Sequence, residues 1–519
     1  MIRRILPILA LACLSATAAE TSKPNILFIM ADDVGYGDLG CYGAKLVKTP
    51  TLDKLAAQGC RFTDAHSPAA TCTPTRRAFL TGTYSWRQQP GSSIAPGDAA
   101  ITIEPGTVTV ASLMKQAGYR TGIVGKWHLG LGGEGGPNWN GDIKPSPLDL
   151  GFDSSFIMAA TGDRVPTVYV DQRRIVGLDP ADPISVSYKA KVGTEPTGQE
   201  NPDLLKLKHT HGHDMTIVNG VGRIGWMTGG KAARWRDEDM ADTFAKQAVK
   251  FIEESTEKPF FLFFATHGIH VPRVPNERFV GSSQLGARGD AIHELDDTVS
   301  QVLAALEKRG ITDNTLVIFT SDNGPVLYDG YYDGSLELNR DHRPAGPWRG
   351  GKYSAWEGGT RMPFIVSWPG TVKPGRSDAL FSQVDLLASL AKLTGATVPS
   401  GTAVDSRELL DTLLGKSETG RDHVIQQGVK MESIRQGDWK YVPPGNVTNR
   451  AGVDRFQSDL IRPPGALFFL PEDPEEQNDV ASLYPDKVRQ LRAILEAELG
   501  RQTGQDNSSG DGLGGAVRK

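Results

Sequence analysis

The sequence predicts an α/β fold built on a largely buried sheet, and three observations lead there. Its apolar runs are continuous rather than alternating, as expected of strands covered on both faces. Segments with apolar residues at helical spacing separate these runs. Polar, chemically loaded residues follow nearly every run, and in open α/β sheets sites gather beyond the carboxyl ends of the strands.

Taken in order, the first strand is NILFIM at 25–30, and it ends at Asp32 and Asp33. Helices over 51–58 and 108–116 precede the strand GIVG at 122–125, which leads to Lys126 and His128. From about 153 to 231 the chain is irregular and rich in Gly, Pro and charge. It reads as long loops over the site, where substrate selection would lie. Helices over 240–253 and 290–308 flank PFFLFFA at 259–265, a strand followed by His267 and His270. TLVIFT at 315–320 delivers Asp322 and Asn323, and PFIVSW at 363–368 adds a further strand. Beyond about 422 the texture changes: IRQGDWKYV and ALFFLPEDPEEQND look like short antiparallel strands joined by turns, and an amphipathic helix from about 485 to 501 closes the subdomain. The expected organisation is a signal peptide over 1–19, a large domain over 20–421, a smaller subdomain over 422–502 and a low-complexity, disordered tail over 503–519.

Composition narrows the function classes. With 519 residues, 39 % hydrophobic and 23 % charged, the chain has ample core for a soluble globular protein. A net charge of −5 argues against nucleic acid as a partner, which calls for a basic face. Arg3 and Arg4, the apolar run after them and Ala16-Thr17-Ala18 read as a secretory signal with a small-residue cleavage site. That run is too short to stay in a bilayer, and no later segment is apolar enough to cross one. The expected location is periplasmic or secreted. The rival is a lipoprotein anchored through Cys13, although Ala10-Leu11-Ala12 fits a lipobox poorly.

Removal of the signal leaves Cys41, Cys60 and Cys72, an odd number for an oxidising compartment. Cys41 and Cys60 either pair with each other or act as small buried hydrophobes. Cys72 remains to be explained.

Asp32 and Asp33 begin at a buried strand end, where two like charges about 4 Å apart repel by roughly 4 kcal/mol at an effective dielectric near about 20. A hard cation with oxygen ligands removes that penalty, and Asp322-Asn323 adds a carboxylate and an amide oxygen from another strand end. This oxygen-rich set favours Ca²⁺ over Zn²⁺. The plain alternative is that both pairs are turn residues.

Residues 71–82, TCTPTRRAFLTG, hold C-x-P-x-R followed by Leu80-Thr81-Gly82. This element resembles the signature of the type I, formylglycine-dependent sulfatases of the alkaline-phosphatase-like superfamily. The resemblance runs in order through ADDVGYGDLG, TPTLDKLAAQG, GKWHLG, GFD, PFFLFFATHGIHVP, TSDNG, RGGKYSAWEGGTRMP and GDWKYV. It is similar to the branch labelled arylsulfatase A or N-acetylgalactosamine-6-sulfatase. Thr75, where Ser or Ala is commoner, is a small departure.

What the resemblance implies is specific. The fold would be a large, mostly parallel or mixed sheet between helices, with a C-terminal antiparallel sheet and helix. Cys72 would be oxidised to formylglycine by a separate maturation enzyme and hydrated to a gem-diol. Asp32, Asp33, Asp322, Asn323 and modified Cys72 would bind one Ca²⁺. Arg76 would hold the diol, Lys126 and Lys352 would grip sulfate, His128 would work on the diol, and His270 would face the leaving oxygen. His270 is preferred over His267 because His270-Val271-Pro272 matches the family's His-x-Pro element. Apart from the resemblance, Arg361 in EGGTRMP reads as a structural residue that braces the loop carrying Lys352. The reaction implied is hydrolysis of a sulfated carbohydrate through a covalent sulfo-enzyme.

The run KHTHGHD places His209, His211 and His213 at alternate positions. A sugar-contacting segment, a second metal site and a plain surface loop are all compatible with it. Two other functions stay open at this level. One is a phosphoester or phosphonate hydrolase of the same superfamily, though such phosphatases commonly use two transition metals and an unmodified Ser or Thr. The other is an unmodified protein that binds sulfated glycans without turnover.

Overall fold

The computed structural model describes residues 23–87 and 94–500. The expected signal peptide over 1–19, the lipoprotein alternative at Cys13 and the tail over 503–519 lie outside the described residues.

Ten strands form the main sheet: β1 (Asn25–Ala31), β2 (Cys60–Phe62), β3 (Arg120–Lys126), β4 (Ser154–Met158), β5 (Tyr169–Asp171), β6 (Arg174–Ile175), β7 (Phe260–Ala265), β8 (Thr315–Ser321), β9 (Phe364–Ser367) and β10 (Gly375–Ser377). Their spatial order is β10-β2-β9-β8-β1-β7-β3-β4-β5-β6. The central run β8-β1-β7-β3-β4 is parallel throughout. Antiparallel β9 and β5 flank it, so the sheet is mixed. Met30 lies level with Thr320 on one side and Ala265 on the other. The chain segments that follow β1, β7 and β8 therefore leave the sheet side by side.

Both faces are covered, which is why the strands read as unbroken apolar runs. Ile26, Phe28 and Met30 pack toward α2 (Cys72–Thr81), α3 (Val110–Gln116) and α6 (Leu386–Thr394). Leu27, Ile29 and Ala31 pack toward α1 (Pro50–Gln58), α4 (Met240–Glu254) and α5 (Gly286–Lys308). The alternation along β1 is the period-two geometry of a strand, here feeding two cores.

Helix α2 has no solvent face: all ten of its residues are buried. Phe79 stacks on Phe28 of the main sheet at 4.3 Å between ring centroids. From the other side Ala78 meets Ile425, Ile434, Tyr441 and Leu467 of a second sheet. That sheet is antiparallel and four-stranded, formed by β11 (His423–Gln427), β12 (Glu432–Gln436), β13 (Trp439–Val442) and β14 (Ala466–Phe469), and α7 (Pro485–Glu498) packs on it through Val488, Leu491 and Leu495. The C-terminal sheet thus clamps the helix that begins at Cys72.

Several details differ from the sequence expectations. The stretch 153–231 is not only loop, because β4, β5 and β6 extend the main sheet within it. Residues 72–81 and 386–394 form two further helices. Cys41 and Cys60 are both free, so the structure holds no disulfide between them. Among the described residues no helix is long and apolar enough to cross a membrane.

Candidate functional site

The site lies where β1, β3, β7 and β8 end beside the first turn of α2. Asp32, Asp33, Asp322 and Asn323 converge there, all fully buried. Asn323 Nδ2 donates to Asp33 Oδ1 at 2.8 Å, and the Asp33 backbone N–H donates to Asp322 Oδ1 at 3.4 Å. Asp33 holds φ at 62°, His128 at 56° and Tyr353 at 78°. Non-glycine residues in the left-handed region cost about 1–3 kcal/mol each and cluster at functional sites.

Three cations face these acids. Arg76, four residues after Cys72 and on the same helical face, donates from Nε (3.0 Å) and Nη2 (2.8 Å) to Asp322 Oδ2. Lys126 Nζ donates to Asp32 Oδ2 and stands 3.8 Å from Asp322 Oδ2. Lys352 Nζ donates to Asp33 Oδ2 at 2.9 Å and to Asp329 Oδ2 at 3.1 Å. Burial alone would lower the Lys352 pKa, but Asp33, Tyr353 and Asp329 outweigh it and keep the ammonium charged.

The carboxyls are not equivalent. Burial, reinforced by Asp322, pushes Asp32 up to about 8, and burial also raises Asp33. Burial pushes Asp322 the same way, but Arg76 and Lys126 overcome it and hold that group below the ordinary carboxylate range. Asp32 and Asp33 thus resist ionisation beside a charged Asp322, a condition that a divalent cation relieves.

The donor set fits such a cation. Asp32 Oδ1 and Asn323 Oδ1 are buried without a hydrogen-bond partner. Leaving a buried acceptor unpaired costs about 1–3 kcal/mol, and two such oxygens, one of them on a member of a three-carboxylate group, suit an oxygen-loving ion. Asp32, Asp33 and His270 bring ligand atoms within 4.8 Å of one another. The other acid–histidine group, Asp64, His66 and Glu357, is already occupied by cationic side chains. Glu357 takes Arg361 and Arg435 at 3.1 Å each and Lys440 at 3.3 Å. That network joins the C-terminal sheet to the loop carrying Lys352, and Arg361 belongs to it.

Cys72 opens α2 and is 1 % exposed. Burial raises its thiol pKa, so an unmodified Cys72 is a protonated, weakly nucleophilic thiol. It forms part of the wall of a cavity of about 210 Å³, together with His270 and Lys352.

The two histidines adopt defined tautomers. His128 donates from Nε2 to the Ala95 carbonyl at 2.9 Å, which leaves Nδ1 as a buried, unpartnered acceptor. His270 donates from Nδ1 to the Val271 carbonyl at 2.7 Å, and its Nε2 stands 3.8 Å from Asp33 Oδ2. Burial and then Lys126 hold His128 well below the ordinary imidazole range, and burial and then Lys352 do so for His270. His267 accepts from the Gly162 N–H at 3.0 Å and sits 5.6 Å from the His270 ring. It lines a different cavity, with Phe244 and Leu295, rather than that of Cys72.

The histidine run divides. His211 and His213 line the cavity, whereas His209 pairs its backbone with Tyr331 and is not among the described lining residues. His213 meets Asp163 through Nε2 at 3.1 Å and the His211 carbonyl through Nδ1 at 2.6 Å. None of the three joins a metal-type cluster among the described residues. Sequence reasoning missed five polar cavity residues: Asp163, Arg164, Asp329, Tyr353 and Arg455. All sit in loops without periodicity. Only their nearness to marked residues, Asp329 after TSDNG and Tyr353 after Lys352, was a usable signal.

Fold and pocket together define an α/β enzyme built to receive an anionic substrate. The sulfatase family model matches residues 24–396. Over 479 residues, 92 % of this chain and 93 % of the relative, the sequence is 51 % identical to the N-acetylgalactosamine-6-O-sulfatase of Bacteroides thetaiotaomicron. It is 31 % identical to human arylsulfatase A over 518 residues, covering 94 % and 90 % of the two chains. A solved structure described under the metabolism of multiple glycosaminoglycans by Bacteroides thetaiotaomicron superposes with a TM-score of 0.89 at 50 % identity, covering 93 % of this chain and 100 % of that one. The chain belongs to the sulfatase family and is a sulfuric ester hydrolase.

Proposed function

We propose that this chain is a Ca²⁺-dependent sulfatase acting on a sulfated carbohydrate, with Cys72 oxidised to formylglycine by a separate maturation enzyme. The observation that carries the reading is the pair of unpartnered buried oxygens, Asp32 Oδ1 and Asn323 Oδ1, beside the first turn of α2. The relative named N-acetylgalactosamine-6-O-sulfatase supports a 6-sulfated N-acetylgalactosamine as the substrate unit. Arg3-Arg4 and the apolar run after them support export to the periplasm or beyond. The division into a catalytic domain over 20–421 and a subdomain over 422–502 belongs to the same proposal.

Asp32, Asp33, Asp322 and Asn323 would hold Ca²⁺, with residue 72 beside them. When bound, the ion supplies Lewis-acid stabilisation of charge on sulfate oxygens. As a hydrated aldehyde, residue 72 supplies one hydroxyl to attack sulfur and a second whose deprotonation expels sulfate. Lys126 and Lys352 bind the sulfate and offset the charge that develops as the ester bond breaks. Arg76 keeps residue 72 and Asp322 in fixed relation. His128 accepts a proton at Nδ1, the atom its hydrogen bond to Ala95 leaves open. His270 is neutral in the ligand-free site because of burial, Lys352 and Lys126. An arriving sulfate counters both lysines and raises His270 toward protonation, so that it can give a proton to the leaving oxygen. Asp163, Arg164, His211 and His213 face the sugar, and His209 drops out of the substrate-contact proposal.

The test has two arms. Mass spectrometry of the peptide containing residue 72 reads the Cys-to-aldehyde conversion. Free-sulfate assays on singly sulfated sugars, with phosphomonoesters beside them, read substrate class. An unmodified thiol in active enzyme rejects the nucleophile, and faster phosphate release rejects the sulfatase reading.

A further inference from the structure

The cavity holds a cation that the proposed reaction does not use. Arg455 lines it from the turn between two antiparallel strands, Gly445–Thr448 and Ser458–Ile461. The turn is fastened on three sides. Asn449 Nδ2 donates to the Lys352 carbonyl at 2.8 Å, the Tyr328 N–H donates to the Val453 carbonyl at 3.0 Å, and the Phe456 ring lies 5.0 Å from His211. The Arg455 guanidinium sits 5.0 Å from the Phe456 ring and 6.0 Å from the Tyr353 ring. These contacts seat it at the rim, just outside the buried sulfate-binding groups.

Charge accounting sets Arg455 apart from its neighbours. Arg164 is matched by Asp163 at 2.9 Å, and Lys352 by Asp33 and Asp329. Both Asp329 oxygens also take the Tyr353 hydroxyl, at 3.0 and 2.9 Å. Asp454, next along the chain, accepts instead from the Phe456 backbone N–H at 3.0 Å. Among the described residues Arg455 has no ion-pair partner, and it is exposed. A guanidinium held over a cavity by aromatic rings, with its donors free, is suited to a carboxylate or sulfate.

We propose that Arg455 is a specificity-determining residue that binds a second anionic group of the saccharide, in addition to the sulfate being removed. The inference rests on the carbohydrate-sulfatase reading above and names the substrate more narrowly. Two sources have the required chemistry: the carboxylate of an adjoining uronic acid, or a second sulfate on the same sugar. Because Arg455 is solvated, its effect falls in the range of an exposed charge pair, about fivefold in affinity.

The experiment measures calorimetric binding to the full-length, Ca²⁺-loaded Cys72→Ala protein, which binds without turnover and serves as the parent, and to the same protein carrying Arg455→Ala. The ligands are N-acetylgalactosamine 6-sulfate, its 4,6-disulfate, and the 6-sulfate linked to glucuronic acid. The proposal predicts that at least one doubly anionic ligand binds the parent protein about fivefold more tightly than the monosulfate, and that Arg455→Ala abolishes this difference without changing monosulfate affinity. The ligand that shows the gain identifies the source of the second charge. If the monosulfate binds but the second charge adds nothing, or Arg455→Ala leaves the gain intact, the Arg455 proposal is overturned while the sulfatase reading stands. If no saccharide binds, the Arg455 proposal and the carbohydrate reading both fall, and sulfate release from an aryl sulfate by the protein with Cys72 in place shows whether the sulfatase reading survives.

Discussion

Arg76 lays two guanidinium nitrogens on one oxygen of Asp322, with Nη2 at 2.8 Å and Nε at 3.0 Å, and both residues are wholly buried. The contact ties α2 to the end of β8 across 246 residues of sequence. Its third nitrogen group, Nη1, donates to the Lys126 carbonyl at 3.0 Å, so one side chain aligns the helix with two strand ends.

Arg76→Ala should therefore cost more than a surface charge would. Removing one partner of a buried pair leaves the other uncompensated and destabilises by about 3–5 kcal/mol. Arg76→Lys should fold better but recover little activity, because a point charge cannot replace the fork. Thermal unfolding and sulfate release, measured side by side, check both expectations.

Chelation should lower the unfolding temperature as well as activity, and Ca²⁺ should restore both. An ion present at a hundred times its dissociation constant stabilises the folded state by about 2.7 kcal/mol. Asp32→Asn should lose most of that increment. An unfolding temperature indifferent to Ca²⁺ in the parent protein would reject the metal assignment independently of catalysis.

Acid sensitivity has a clear structural source away from the site. Asp38 is buried between Arg288, at 2.6 and 2.8 Å, and His342, at 2.8 Å. Burial would raise its carboxyl, but Arg288 and His342 prevail and hold it well below the usual carboxylate range. A depressed folded pKa means the stabilisation is complete above the unfolded value near about 3.9 and fades as pH falls below it. Asp38→Asn should flatten that acid limb and lower stability at neutral pH by stranding Arg288. Unfolding free energy against pH for the two proteins is the relevant comparison.

The C-terminal sheet should be inseparable from activity although, among the described residues, none of its strands lines the Cys72 cavity. Glu357 binds Arg435 and Lys440 from that sheet and lies five residues beyond Lys352. Glu357→Ala leaves three buried cations short of a counter-charge and should destabilise by about 3–5 kcal/mol. Denaturant unfolding of the variant reads that loss directly.

Much of the central architecture was legible in the residues themselves. NILFIM, PFFLFFA and TLVIFT read as strands because both faces of each are buried, and Asp32, Asp33, Asp322 and Asn323 marked the strand ends. Helix α2 was not legible: Thr73, Pro74 and Thr75 are poor local helix signals, and tertiary burial on every side overrides them. Strands β5 and β6 span only three and two residues, too short for a period to emerge. The cavity wall escaped for another reason. Asp163-Arg164 and Arg455 come from two loops far apart in the sequence, and only the folded chain brings them together.

The most direct test is free-sulfate release from N-acetylgalactosamine 6-sulfate by the mature protein and by Cys72→Ala, under conditions where both bind Ca²⁺ and unfold at similar temperatures. The account predicts release by the parent protein and none above background from the variant. Turnover undiminished in Cys72→Ala would contradict it outright.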